Sequence, residues 1–204
     1  MTAPSTDCLL LKTEAPWAPQ TDTRWAMAMG QHLGAVTQLQ SVSTAKAENL
    51  RPMTHIYLQL QSPQALGADL LETAQHLWLQ LSGQAAEVSR LHCAMRLPGA
   101  SASAQPGVHY VVETDPEDGW QDEIFRWYEV EHMPGLASVP GTVLARRYLN
   151  LDHAPHSLAC YDLTEKSVLG SPPWMAVRGT AWSDICRPHF TNTLRTMFET
   201  LHRA

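Results

Sequence analysis

Hydrophobic and polar positions alternate along the second half of this chain in a regular order. His109–Thr114 (HYVVET) is rich in β-formers and runs into Asp115-Pro116, which predicts a strand and a turn. Glu117–His132 changes to helical spacing: Trp120, Ile124, Trp127 and Glu131 recur on one stripe, and Phe125, Tyr128 and His132 on the next. Acidic residues crowd its first turn, where the helix dipole favours them, and Pro134-Gly135 is expected to stop it. Pro140-Gly141 turns the chain into a strand over Thr142–Leu151, and Ser157–Leu163 is expected to pair with it. A short helical stretch over Glu165–Gly179 and a strand over Thr191–Leu201 complete the order β-α-β-β-α-β.

The first half predicts the same order from weaker signals. Strands are expected over Cys8–Glu14, Ala45–Leu50, His55–Gln61 and Val88–Leu97, and a helix over Thr23–Leu39. Ala68–Leu81 reads as a strongly amphipathic helix through Leu70, Leu71, Ala74, Leu77, Trp78 and Leu81. Between the halves, residues 99–107 hold small residues bounded by Pro98-Gly99 and Pro106-Gly107, a linker composition. A shift of about 100 residues places Trp25 on Phe125, Gln31-His32 on Glu131-His132 and Ala45-Lys46 on Ala145-Arg146. The expected architecture is α+β: two fused ferredoxin-like βαββαβ halves, residues 1–98 and 108–204, forming an intramolecular dimeric α+β barrel. Such a half leaves one sheet face bare and apolar, and a second half can cover it.

Composition narrows the function. The 204 residues are 44% hydrophobic and 17% charged, a globular balance. A net charge of −6, three lysines and scattered arginines argue against a nucleic-acid surface. No apolar run reaches the ~20 residues of a membrane helix, and the N-terminus lacks a basic leader, so the expected location is cytoplasmic. Cys8, Cys93, Cys160 and Cys186 are far apart and three lie in apolar segments, which reads as buried, reduced thiols. Of ten histidines, only His153 and His156 stand close, in a turn-like segment without a metal-ligand pattern, so no metal site is expected.

Chemistry concentrates in Trp127-Tyr128-Glu129-Val130-Glu131-His132-Met133-Pro134. A histidine in the last turn of a helix lies near the negative dipole end, and Tyr128 sits one turn earlier on its face. Such a pair beside aromatic walls suits general acid–base work without a cofactor. On composition alone, the same residues fit better a helix-capping histidine with Trp127 and Tyr128 as core. Arg146 and Tyr148 share one face of their strand and Arg147 the other, so either arginine could steady a developing negative charge. Trp174 and Trp182 bracket a segment that could cover a pocket or fill the core edge.

The run Phe125-Arg126-Trp127-Tyr128-Glu129-Val130-Glu131-His132-Met133-Pro134, then Val139-Pro140-Gly141, then Ala145-Arg146-Arg147-Tyr148, resembles the EthD-like branch of the dimeric α+β barrel superfamily. In the first half only the element order and Gln31-His32 keep that pattern; Ala28, Gly30 and Gly34 replace the tyrosine, valine and proline. The resemblance implies a cofactor-independent enzyme acting on a small aromatic or carbonyl-bearing molecule, with one working site. We expect a lyase or isomerase in which His132 moves the proton and Tyr128 assists. Trp127, Arg146, Arg147 and Tyr148 would bind the substrate. The expected partner is that small molecule, with a homodimer conceivable. Two rivals from the same superfamily are a haem-binding protein with a histidine ligand and a small-molecule-binding module without chemistry.

Overall fold

The computed structural model describes residues 5–14, 18, 20–33, 36–43 and 52–203. It is a mixed α+β fold. The chain divides into two compact units, residues 1–93, 150–153 and 198–204, and residues 94–149 and 154–197.

In the first unit, β1 (Thr6–Thr13) lies between β3 (Thr54–Gln64) and the start of β4 (Glu87–Pro98), with β2 (Val36–Ser43) on the far side of β3. Leu9 stands opposite Leu58, and Leu11 opposite Ile56 and Val88, so one sheet face is a continuous apolar surface. Helices α1 (Thr21–Met29) and α2 (Asp69–Ser82) cover that face with Trp25, Met29, Ala74 and Trp78, all buried. The Trp25 indole N–H donates to the Ala74 carbonyl at 3.0 Å, and its ring meets Trp78 edge-on. That bond satisfies a donor which burial would otherwise strand.

The second unit repeats the element order. β7 (Ser157–Leu163) lies between β5 (Val108–Pro116) and β6 (Thr142–Asn150). Tyr161 stands opposite Tyr110 and Ala145, and Ala159 opposite Val112 and Arg147, and this face carries the helices. The helical layer is α3 (Gln121–Trp127), a π-turn over Tyr128–His132, α4 (Met133–Ala137), α5 (Pro172–Arg178) and α6 (Ala181–Cys186); β8 (Phe190–Arg203) follows. The helices α4 and α5 approach closely at Gly135, where a Cβ would stand 2.7 Å from a methyl of Val177. Residues 99–106 form turns, with the Ala100 and Ser101 N–H groups donating to the carbonyls of Ala137 and Thr142. Among the described residues, no helix is long and apolar enough to cross a membrane.

Three expectations need correction. The helix predicted over Thr23–Leu39 ends at Met29, and residues 36–43 are strand β2. The reason is local: Gly30 is a poor helix residue, and the β-branched Val36, Thr37 and Val42 favour a strand. The helix expected to stop at Pro134-Gly135 continues through α4 to Ala137. Finally, α6 was not anticipated beyond Gly179; the Thr180 side chain caps it by accepting from the Ser183 N–H. The strand predicted over Ala45–Leu50 falls outside the described residues.

Candidate functional site

Proline 134 shapes the site. It has no N–H to give the carbonyl four residues back, and its ring crowds that carbonyl. The preceding turn is widened instead, so that the Met133 N–H donates to the Tyr128 carbonyl, five residues earlier. Single π-turns of this kind recur at functional sites in other proteins. The chain then resumes as α4, so His132 stands inside a continuous helical run and not at its end. The negative dipole end lies at Ala137, which corrects the placement of His132 beside it.

His132 is 8% exposed. Its imidazole stacks on Trp127, with ring centroids 4.1 Å apart, and meets Tyr128 edge-on at 5.7 Å. Nδ1 is buried without a hydrogen-bond partner among the described residues, which leaves Nε2 as the nitrogen able to reach the opening. Burial lowers its pKa to about 3, and the guanidinium groups of Arg178 and Arg187 push the same way. The imidazole is therefore neutral at physiological pH. Stability should respond to this. Above about 6.5, the ordinary histidine value, neither folded nor unfolded chain is protonated there; as pH falls towards 3, only the unfolded chain takes the proton. The wild-type chain should thus lose stability across that window faster than His132→Gln, in denaturant titrations at stepped pH. Parallel curves would contradict the burial argument.

His132 opens on a cleft in the second unit, lined also by Tyr110, Trp127, Tyr128, Tyr161 and Trp174. Arg178, Arg187, Phe190 and Arg195 form the rest of its polar and aromatic wall. It is narrow, with a volume of about 30 Å³. That is room for about one or two waters. A ring can enter only edge-first or with some shift of the wall. Burial pushes the Tyr128 phenol far above its ordinary pKa, with Arg147 opposing, so Tyr128 acts as an O–H donor and not as a phenolate. The Tyr161 hydroxyl, likewise held protonated by burial, donates to the Met133 sulfur at 3.0 Å.

The expected substrate binders separate. Trp127 lines the cleft. Arg147 lies on the helix-covered face behind it, its guanidinium 3.8 Å from the Phe125 ring centroid and 5.1 Å from that of Tyr128. Its Nε and Nη2 have no hydrogen-bond partner among the described residues. Arg146 and Tyr148 point to the opposite face, as the strand period requires; there Arg146 Nη2 donates to Asp162 at 3.2 Å, and Asp162 also binds His109 at 2.7 Å. Of the two loop tryptophans, Trp174 lines the cleft, while the Trp182 indole donates to Glu123 at 2.8 Å. Sequence reading missed Tyr110, Tyr161 and the three cleft arginines. The tyrosines could have been found from their period-2 positions on the predicted strands.

His32, which the 100-residue shift in the sequence places on His132, is exposed in the turn after α1. His32→Ala should change stability by no more than about 0.5 kcal/mol in urea unfolding. A larger loss would mean that His32 has a structural partner.

No protein-family model matches the sequence, and no curated protein matches it by sequence. Among solved structures, a candidate monooxygenase of Fusobacterium nucleatum aligns with TM-score 0.64 at 8% identity, covering 100% of this chain and 95% of its own. An anthrone oxidase-like protein aligns with TM-score 0.57 at 14% identity, covering 98% of this chain and 93% of its own. A Listeria monocytogenes ferredoxin-fold protein related to antibiotic biosynthesis monooxygenases aligns with TM-score 0.54 at 8% identity over 97% and 96%. The likeness is one of fold.

Proposed function

We propose that the second unit is a cofactor-independent enzyme that removes a proton from carbon next to a carbonyl or aromatic group, as a lyase or isomerase. The observation that carries this reading is a buried, neutral imidazole whose Nε2 opens on an aromatic cleft while its Nδ1 is sealed. A neutral histidine starts in the base form across the whole physiological range. Tyr128, held protonated, gives a hydrogen bond to the oxygen on which charge develops. Arg147, behind the Tyr128 ring, adds positive potential to that donor. The EthD-like motif supports the reading because its tyrosine, histidine and proline together form the π-turn and its neighbour. In the same reading the first unit is an eroded copy, which keeps the element order but carries its histidine on the surface.

The test is solvent exchange. A panel of small aromatic ketones, esters and acids is incubated in heavy water with the metal-stripped protein, and NMR follows deuterium entering at the activated carbon. Exchange that disappears in His132→Gln supports the proposal; no exchange, or exchange untouched by the substitution, contradicts it. Oxygen uptake during the same incubation would reassign the later step to oxidation, because the carbanion left by proton removal can also react with O₂. A haem reading has less support. A porphyrin needs an open slot beside its histidine, whereas Trp127 covers one ring face of His132 and the cleft is narrow.

A further inference from the structure

We infer that the cleft takes its ligand as an anion: a small aromatic molecule with a carboxylate or phenolate oxygen, held by Arg178, Arg187 and Arg195. This rests on the proposed reading of the cleft as a substrate site and specifies what enters it.

Three guanidinium groups reach one narrow opening from three elements: Arg178 at the end of α5, Arg187 just beyond α6, and Arg195 on β8. Among the described residues, none of them forms an ion pair; the one hydrogen bond they make joins Arg187 Nη1 to the Arg178 carbonyl at 3.5 Å. The chain as a whole carries −6, so the cluster opposes the general charge. Like charges lining one cleft repel, and the part burial of Arg178 and Arg187 removes water that would screen them. Burial and then Arg187 and Arg195 lower the Arg178 pKa, which shows that the groups share one field. Such a cluster is relieved by a bound negative charge.

The surrounding polar atoms tell the same story. The indole N–H groups of Trp127 and Trp174, both in the cleft wall, are buried without acceptors among the described residues. A stranded buried donor is costly, so a wall that carries them is matched to a ligand that brings oxygen. The rings of Trp127, Tyr110 and Phe190 supply the apolar wall against which an aromatic body packs.

The charge of the ligand also acts on the base. His132 faces Arg178 and Arg187 from the α5–α6 side, Arg195 on β8, Tyr110 and Tyr161 from the sheet, and Tyr128 on its own turn. An anion beside the guanidinium groups offsets the field that disfavours imidazolium. The histidine therefore becomes a stronger base when the correct ligand is in place.

The test uses the full chain with benzoate and its neutral isostere benzamide. The His132 ring signals, assigned by their absence in His132→Gln, are followed by NMR across pH, and tryptophan fluorescence reports binding. Benzoate should bind at least about tenfold more tightly than benzamide, weaken as salt is raised, and move the His132 titration upward. The R178Q/R187Q double variant should lose about tenfold in benzoate affinity and little for benzamide. Arg195→Gln, at an exposed position that folding tolerates more easily, should lose affinity in the same sense. Equal binding of the two probes, or benzoate affinity indifferent to all three arginines, overturns the inference. Inorganic phosphate displacing benzoate at equal concentration overturns the aromatic part of the assignment. If benzamide alone binds and perturbs His132, the anion inference fails and the proposed active site stands. If neither probe moves His132, the proposed site fails as well.

Discussion

In the proposed mechanism, His132→Gln should lower the rate of proton exchange into substrate by about 10²–10⁴-fold, the usual contribution of a positioned acid or base. Glutamine fills much of the same space and keeps a polar end, so the loss reports titration and not collapse of the cleft. His132→Ala should be as damaging to turnover and worse for stability, because it also removes the face against which Trp127 stacks. Substrate affinity should fall less than turnover in both variants, since the aromatic wall and the arginines remain. The comparison is made by initial rates of deuterium incorporation, with circular dichroism to confirm the fold. A glutamine variant with full exchange at pH 6 to 8 would remove His132 from the chemistry.

Asp162→Ala destabilises the second unit by about 3–5 kcal/mol, measured as the shift in urea midpoint at neutral pH. Asp162 is 1% exposed and holds Arg146 on one oxygen and His109 on the other, both of them buried. Removing the carboxylate takes a buried charge partner from both Arg146 and His109 in a place where water does not reach, and that makes the cost large. The double variant Asp162→Ala/Arg146→Met should recover part of the loss because it removes a buried cation along with the carboxylate. Proton exchange per folded molecule should change little, since this cluster lies on the sheet face opposite the cleft. A loss below about 1 kcal/mol would mean that water or another acceptor replaces the carboxylate.

The legibility of the fold differs between the units for physical reasons. Strands β5 and β7 and the start of α3 could be read because β-branched and aromatic residues alternate with clear turn signals at Asp115-Pro116 and Pro140-Gly141. Gly141 adopts φ +94°, which explains why that turn is so well marked. In the first unit, alanine and glutamine fit helix and strand spacing about equally, and the first four residues of the Val36–Ser43 strand read as a continuation of the preceding helix. Proline 134 reads as the end of the helix, but the chain widens one turn and continues to Ala137. Within the site, Trp127, Tyr128 and His132 are local in sequence, and helical spacing brings them together. The period-2 rule put Arg146 and Arg147 on opposite sheet faces but could not say which face meets the helices. Arg178, Arg187 and Arg195 come from three elements, and only the tertiary fold makes them neighbours.

In the proposed reading, the glycine at position 135 would set a limit on substrate size. Helix α5 rests on α4 where Gly135 meets Val177, and α5 carries Trp174 and Arg178 of the cleft wall. A single added methyl group there would act as a shim beneath the wall, pushing it outward without altering any group that touches the ligand. Selectivity between one-ring and two-ring molecules is then tuned from outside the pocket, which makes Gly135→Ala a starting point for widening the range of substrates admitted.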